Sequence, residues 1–339
     1  MRFSEDKHGG DPRAEYDFSV NISPLGMSGA VFDACVSALR RADRYPDPYC
    51  TALRAALSAK EGVPAENILA GNGAAELIYA YAAAHAGERA AVLSPTFSEY
   101  ANAVHAFGGK AEHVYGFSAA ERAVRGGAST VFVCAPNNPD GGMPSRKEIF
   151  SLACTCAEYG ATLFVDACFY DFVDEPAFTL PELLALQNVL VLQALTKSCA
   201  LAGVRLGYLM GDGAALREIS VKLQPWNVSA LAQAAGVAAA GDAKYFERMR
   251  EIVRTERAFL EQTLRRAGYA PRPSCANFLL FEGEEDLAAR LKERGIAIRT
   301  CTDFVGLAPA EGKQYYRIGV RPRAENEALA AALSEEKKR

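Results

Sequence analysis

Long apolar runs are missing from this chain. No segment approaches the ~20 consecutive apolar residues that a membrane-crossing helix needs. The opening MRFSEDKHGG is polar where a secretory leader turns apolar. An excess of one charge is missing as well. Lysine and arginine number 37 against 41 aspartates and glutamates, a net charge of −4, and the basic residues are scattered, so nothing favours a nucleic-acid partner. The expected protein is soluble and cytoplasmic, with no membrane partner. Histidine is scarce: the four present show no metal-ligand spacing, and His85, His105 and His113 read as ordinary surface or core residues. The nine cysteines include no CxxC pair, and Cys154 and Cys156 stand too close to form a metal pair on one helix face. This odd, irregular set, with Cys35, Cys134, Cys168 and Cys199 in or beside apolar stretches, reads as reduced and mostly buried thiols. No metal is expected. Internal repeats and low-complexity linkers are also absent, and the one tryptophan, Trp226, reads as a packing residue at a domain junction.

What the chain does have is apolar residues, 50% of its 339, enough for a large domain and a smaller one. Continuous apolar runs at Ala90–Ser94, Thr130–Cys134, Leu163–Asp166, Val189–Gln193 and Leu206–Met210 read as strands covered on both faces. Helix-like stretches separate them, Pro144–Tyr159 among them. Alternation of this kind implies a mostly parallel sheet with right-handed crossovers. After Pro225 the pattern changes. Ala230–Ala267 reads as one or two long helices, and Phe278–Phe281 and Arg317–Val320 read as strands of a small α+β unit, with a helix near Asp286–Arg294. The expected division is an N-terminal arm over 1–44 that packs with the small domain and holds a short helix near Ala30–Arg41. A large α/β domain over 45–229 follows, then an interdomain helix and small domain over 230–339.

The chemistry-bearing residues stand at strand ends and helix starts, where open α/β sheets gather their ligands. Lys197 lies on a short turn in VLVLQALTKSCALAGVRLGYLM, after an apolar run and just before Arg205. Asp166 ends TLFVD. PNNP (Pro136–Pro139) follows the strand at Thr130–Cys134, and its Asn138 can donate a hydrogen bond to a ring oxygen. GNGAAELI (Gly71–Ile78) opens a helix whose backbone N–H groups can face a phosphate. Each has an ordinary alternative: a tight loop-to-helix junction for the glycines, a plain turn for PNNP, a cap for Asp166. As an ordered set they meet what pyridoxal phosphate requires, namely an amine that condenses with its aldehyde, an anion for its ring nitrogen and a cation for its phosphate. Arg317 lies inside YYRIGV, where an uncommitted charge is costly, which favours a ligand. Arg321 and Arg323 fit a solvated basic patch equally well.

At this level the chain resembles the fold-type I pyridoxal-phosphate enzymes of the aminotransferase class I/II superfamily. The resemblance spans nearly the whole chain and is carried by HGG (His8–Gly10), DFSVNISPLG, RYPD, LAGNGAAELI, SPTFSEY, APNNPDG, LTKSCALAGVRLGYL, QPWNVSALA, ANFLLF and YYRIGVR. HGG, NISPLG and PWNVSALA point to the threonine-phosphate decarboxylase branch, a relative of the histidinol-phosphate aminotransferases. The resemblance implies a large domain with a central, mostly parallel sheet and a small C-terminal α+β domain. It implies that Lys197 carries the cofactor, Asp166 faces its ring nitrogen and Asn138 its phenolic oxygen. Phe97 would stack on the ring. Arg205 and the backbone at Gly73, Ala74 and Ala75 would hold the phosphate. Tyr45 would reach that phosphate from the partner of a homodimer with shared sites. Arg317 matches the carboxylate-binding arginine, and His8, Asn21 and Arg321 are further substrate-binding candidates.

Several positions depart from the family pattern. Ala75 and Ala194 replace hydroxyl residues near the phosphate, Ala167 follows Asp166 where the family carries glutamate, and NNPDG introduces Asp140. Phe169 stands where aminotransferases carry a tyrosine, a replacement seen in the decarboxylase branch. The resulting expectation is a lyase that decarboxylates L-threonine O-phosphate, or a close phosphoamino acid, in cobamide biosynthesis. The alternatives are an aminotransferase of the histidinol-phosphate type and, more remotely, a non-catalytic binding protein of the same fold.

Overall fold

The computed structural model describes residues 9–336. Twelve strands appear in chain order: β1 (Tyr16–Asp17), β2 (Ile68–Gly71), β3 (Arg89–Leu93), β4 (Lys110–Val114), β5 (Thr130–Cys134), β6 (Thr162–Asp166), β7 (Val189–Ala194), β8 (Gly207–Met210), β9 (Phe278–Glu284), β10 (Ile296–Ala297), β11 (Arg299–Thr300) and β12 (Lys313–Gly319). Seven form one sheet in the order β2-β8-β7-β6-β5-β3-β4. The pairs from β4 to β7 are parallel, while β8 runs antiparallel to both β7 and β2.

The expected apolar runs are the central strands, displaced by a residue at most at their starts. Their side chains alternate between two cores. Val131, Val133, Leu163, Val165 and Val191 enter one cluster, and Phe132, Phe164, Leu190 and Leu192 enter the cluster on the other face. Burial on both faces explains why these strands read as unbroken apolar runs. The edge strand β4, KAEHV, has no such run. Lys110 and Glu112 are exposed, which blunts the edge and hides it from a hydrophobicity search.

Helix boundaries follow from capping. The stretch expected at Pro144–Tyr159 is a helix at Arg146–Glu158. The Ser145 hydroxyl accepts from the Glu148 N–H at 3.2 Å, and the Glu148 carboxylate accepts from the Ser145 N–H at 2.9 Å, a reciprocal cap. The long stretch after Pro225 is two helices, Ala230–Ala240 and Ala243–Ala267, parted where Asp242 caps the second by accepting from the Tyr245 N–H. Helix Ala230–Ala240 packs against α1 (Gly29–Leu39) and α2 (Thr51–Glu61), and its Ala232, Ala235 and Ala239 enter the same core as Leu53 and Leu57.

A three-stranded antiparallel sheet, β11-β12-β9, carries a third core with Phe18, Leu279, Phe281, Tyr316 and Ile318. The N-terminal segment is stitched to this part: β1 pairs with β10, and the Gly319 N–H donates to the Phe18 carbonyl at 2.8 Å. A Cβ on Gly319 would lie 2.3 Å from the Val20 carbonyl oxygen, so only glycine permits this approach. The segment then runs on to the large sheet, where the Ser23 N–H donates to the Lys197 carbonyl at 2.9 Å.

Candidate active site

A cavity of about 390 Å³ opens at the carboxyl ends of β5 and β6. Its walls come from three places: the loops and helix starts of the large sheet, the N-terminal segment, and the small sheet. Of the residues singled out from sequence, Lys197, Asp166, Asn138, Arg205, Ala74, Ala75, Phe97, Asn21 and Arg317 line it.

Lys197 sits in the short helix Leu195–Ser198, directly after β7, and is largely enclosed. Its amine is pushed down to about 8, first by burial and then by the positive charge of Arg317, with Arg205 adding to both. A lysine so placed holds a substantial neutral, nucleophilic fraction near neutral pH.

Asp166 ends β6, flanked in register by Cys134 of β5 and Leu192 of β7. It is 5% exposed. Oδ2 accepts from the Tyr100 hydroxyl at 2.6 Å and Oδ1 from the Cys168 N–H at 2.9 Å. Burial pushes its pKa up, and these two hydrogen bonds pull the other way. Both partners are neutral, so the carboxylate suits a cation arriving from the cavity. Tyr100 escaped the sequence reading. Its signal was the spacing in SPTFSEY, where Phe97 and Tyr100 fall three apart at a helix start; their rings meet edge to face at 5.7 Å.

The anion cradle lies at the start of α3 (Ala74–Ala84). Gly73 caps that helix at φ 80 with no side-chain cap, leaving the first-turn N–H groups of Ala74 and Ala75 without intrahelical acceptors. A Cβ on Gly73 would stand 2.5 Å from Arg205 Nη2, so the missing side chain is what lets the guanidinium close over the helix end. Ala75 contributes no hydroxyl, and Ala194 caps the lysine helix without a side-chain bond.

Arg317, on β12, is 6% exposed. Nη2 donates to the Ser19 carbonyl at 3.0 Å and Nη1 donates to Asn138 Oδ1. Because Oδ1 faces a pure donor, the Asn138 amide N–H₂ is the end turned away from Arg317. Burial pushes Arg317 down to about 10, which leaves it charged at neutral pH. Directly opposite it in the strand register stands Arg299 of β11, 9% exposed and also lining the cavity. Two like charges in opposed positions repel, and one is already offset: Arg299 Nη2 donates to Asp303 Oδ1 at 2.6 Å. Arg299 was missed although it sits in IAIRT much as Arg317 sits in YYRIGV, a charge inside an apolar strand pattern.

Other expected residues lie elsewhere. Tyr45 is 81% exposed and stacks on Trp226, ring centroids 4.7 Å apart, away from this cavity. Arg321 does not line the cavity, because its guanidinium is bound to Glu325 at 2.8 Å. Arg323 likewise pairs with Glu256 at 2.9 Å. His8 lies outside the described residues. Asp140, expected to bring an anion near the site, is tied into its own turn by the Asn137 side chain at 3.0 Å and the Gly142 N–H at 2.9 Å. Phe169 lines the cavity and packs edge to face on Phe278 at 4.9 Å.

The residues present fit the expected cofactor. The cavity joins a low-pKa amine, a buried carboxylate with neutral partners, and a helix N-terminus closed by an arginine. Among the described residues no cluster of His, Cys, Asp and Glu could hold a metal, all nine cysteines are free, and no helix is long and apolar enough to cross a membrane.

A family model described as aminotransferase class I and II matches residues 16–333. The chain is 36% identical over 330 residues to threonine-phosphate decarboxylase of Salmonella typhimurium, covering 94% of this chain and 90% of that protein. It is 30% identical over 331 residues to histidinol-phosphate aminotransferase of Moorella thermoacetica, covering 93% and 83%. The fold matches the crystal structure of histidinol-phosphate aminotransferase from Sinorhizobium meliloti in complex with pyridoxal-5'-phosphate. That match has a TM-score of 0.87 and 24% identity, and it covers 96% of this chain and 92% of that one.

Proposed function

The chain belongs to the aminotransferase class I and II family and is a pyridoxal-phosphate enzyme, and on that premise we propose that it decarboxylates L-threonine O-phosphate or a close phosphoamino acid. The product, an aminoalkyl phosphate, would serve cobamide biosynthesis. The observation that carries this reading is the pair of buried arginines facing one another across β11 and β12 at the cavity wall. Two cations, one of them paired with Asp303 within the protein, suit a substrate with two anionic groups, a carboxylate and a phosphate. The greater likeness to a threonine-phosphate decarboxylase supports the same choice.

Bound in this cavity, pyridoxal phosphate supplies a ring that accepts the electrons of a bond broken at an amino acid's α-carbon. The chain's own residues do the rest. Lys197 Nζ is the attachment point, and with a pKa near 8 it holds and gives up a proton close to neutral pH. Asp166 offers a carboxylate to the ring nitrogen, kept in line by Tyr100 and Cys168. The Asn138 N–H₂ donates toward the phenolic oxygen. Arg205 and the Ala74 and Ala75 amides take the cofactor phosphate. Arg317 would grip the substrate carboxylate and Arg299 its phosphate, and this double grip would fix the orientation of the substrate. Phe97, in the cavity wall, would hold the ring by its aromatic face. Asn21 is 2% exposed, its Oδ1 has no protein partner, and it lines the substrate side of the cavity. Substrate is thereby held between the parts spanning 45–229 and 230–339, with residues 16–18 of the N-terminal segment against the second.

Tyr45, Tyr49 and Trp226 form an exposed aromatic surface, 81%, 74% and 46% accessible, with Phe32 and Leu39 exposed on α1. The Tyr45–Trp226 pair, rings 4.7 Å apart and both exposed, is an apolar surface of the kind that interfaces cover. It supports a homodimer in which Tyr45 reaches the neighbouring site.

Product analysis tests the function. Incubation of the cofactor-loaded protein with L-threonine O-phosphate is expected to release carbon dioxide and an amino-alcohol phosphate with no keto acid added. Lys197→Ala should stop turnover while circular dichroism shows the fold intact. Formation of glutamate from 2-oxoglutarate with histidinol phosphate, together with no carbon dioxide from L-threonine O-phosphate, would instead establish the second reading, which the 30% likeness to a histidinol-phosphate aminotransferase supports.

A further inference from the structure

The carboxylate of Asp17, at the end of β1, gathers the chain around it. Oδ1 accepts from the Ser19 N–H at 2.9 Å and from the Ser19 hydroxyl at 2.5 Å, and Oδ2 accepts from the Asp11 N–H at 3.2 Å. The Ser19 hydroxyl in turn accepts from the Gly10 N–H at 2.8 Å. Ser19 is 5% exposed and lines the active cavity together with Gly9, whereas Asp17 does not line it. The Ser19 carbonyl is the group that holds Arg317 Nη2 at 3.0 Å. A Cβ on Gly9 would stand 2.2 Å from that carbonyl oxygen, so the segment at 9–11 lies directly against it. The Asp11 carboxylate fastens the same segment to Lys292 at 2.9 Å. Arg317 has little else to hold it: Nη1 donates to Asn138, and Nε is buried without a partner. A planar guanidinium fixed at two corners depends on both for its direction.

We propose that Asp17 is a positioning residue for the substrate's carboxylate: it fixes residue 19, and the Ser19 carbonyl fixes the direction of Arg317. This rests on the reading of Arg317 as the ligand of that carboxylate. Hydrogen bonds to an ionised acceptor are the strong ones, and Asp17 Oδ1 takes two of them from a single residue. Holding the N–H and the hydroxyl of Ser19 at one oxygen fixes both its backbone and its side chain. The carbonyl keeps one freedom, rotation about ψ. Against that oxygen packs the 9–11 segment, which Asp17 Oδ2 and the Ser19 hydroxyl tie down, and it occupies a side from which water would compete for the carbonyl. A carbonyl oxygen is a directional acceptor, so a residue 19 held in this way aims the guanidinium. The substrate carboxylate then meets an arginine that is ordered before it arrives, and binding does not have to order it. Asp17 acts only through Ser19 and Arg317, with no contact to the reacting atoms.

Calorimetric titration of the cofactor-loaded protein with two unreactive phosphate esters tests this without turnover. 3-Phosphooxybutanoate keeps the carbon skeleton, phosphate and carboxylate of L-threonine O-phosphate but has no amine. Isopropyl phosphate lacks the carboxylate as well. In the ratio of the first affinity to the second the phosphate contribution cancels and the carboxylate contribution remains. In Asp17→Ala that ratio is expected to fall by about tenfold, the loss of one oriented charge-assisted hydrogen bond, while isopropyl phosphate binds as before. An unchanged ratio overturns the proposal, and so does an equal loss for both esters. Arg317→Gln separates the underlying assignment. It should lower the ratio at least as far, and an unchanged ratio there refutes Arg317 as the carboxylate ligand and the proposal with it. A fall in Arg317→Gln with none in Asp17→Ala refutes only the role of Asp17. If Asp17→Ala does not fold, Ser19→Ala removes one of the two bonds between Asp17 and residue 19 and keeps the carbonyl. The ratio should then fall by about threefold, and no fall overturns the proposal.

Discussion

Burial and neighbouring charge act on Lys197 in the same direction. A dry site and two nearby arginines both disfavour the ammonium, so the amine titrates near 8 where an ordinary lysine titrates at 10.5. The rate at which cofactor-free protein captures pyridoxal phosphate should therefore rise with pH and level off above about 8. Arg317→Gln removes a positive neighbour, favours the ammonium and should move that inflection upward. Stopped-flow absorbance across a pH series reads both. An inflection at the ordinary lysine value in the unmodified protein would contradict the geometry. Residue identity was the most legible layer of the sequence: Lys197, Asp166, Asn138, Arg205 and Arg317 were all recognisable, and all reach one cavity. Their partners were not legible, because Tyr100–Asp166, Arg317–Asn138 and Arg299–Asp303 are set by side-chain directions that spacing does not encode. Asp140 shows the converse. Its charge was visible in NNPDG, but its attachment to Asn137 and Gly142, which keeps it out of the cavity, was not.

At the scale of elements, the phosphate cradle depends on how closely β8 passes the start of α3. A Cβ on Gly207 would lie 2.7 Å from the Ala74 nitrogen and 2.8 Å from the Gly73 carbonyl carbon. Those are backbone atoms, which cannot rotate aside. Gly207→Ala should push the helix start off the strand, costing about 1–3 kcal/mol of stability and about tenfold in cofactor affinity through the disturbed N–H groups. Urea unfolding and cofactor titration measure the two effects, and an unchanged cofactor affinity would mean that the cradle tolerates the shift. Central strands such as Thr130–Cys134 were readable because burial on both faces leaves a continuous apolar run. β4 was not, because as an exposed edge it carries Lys110 and Glu112. β10 and β11 have two residues each, too few to show any period.

At the scale of the whole molecule, the exposed stack of Tyr45 on Trp226 makes the dimer proposal testable. If Tyr45 completes the neighbouring site, Lys197→Ala and Tyr45→Ala are each impaired for a different half of that site. Mixing the two after mild dissociation should restore part of the activity, since one site in the mixed pair receives both intact residues. Activity no greater than the sum of the separate variants would place Tyr45 outside catalysis. Two-domain layering was legible from the change of pattern after Pro225. The way the N-terminal segment bridges the two layers was not, because it rests on close backbone approaches, such as Gly319 to Val20, that sequence spacing does not encode.

That bridge has a consequence for synthesis. The Tyr245 hydroxyl meets Ser23 Oγ at 2.9 Å, the Gly26 carbonyl at 2.7 Å and the Ser198 carbonyl at 3.0 Å, and Arg317 then joins Ser19 to Asn138. Segments made first are locked in place by segments made last. A nascent chain still lacking β12 has translated its reactive lysine, yet leaves that amine uncovered on the ribosome. The residues assigned to the vitamin are thus all translated before the strand that closes over them.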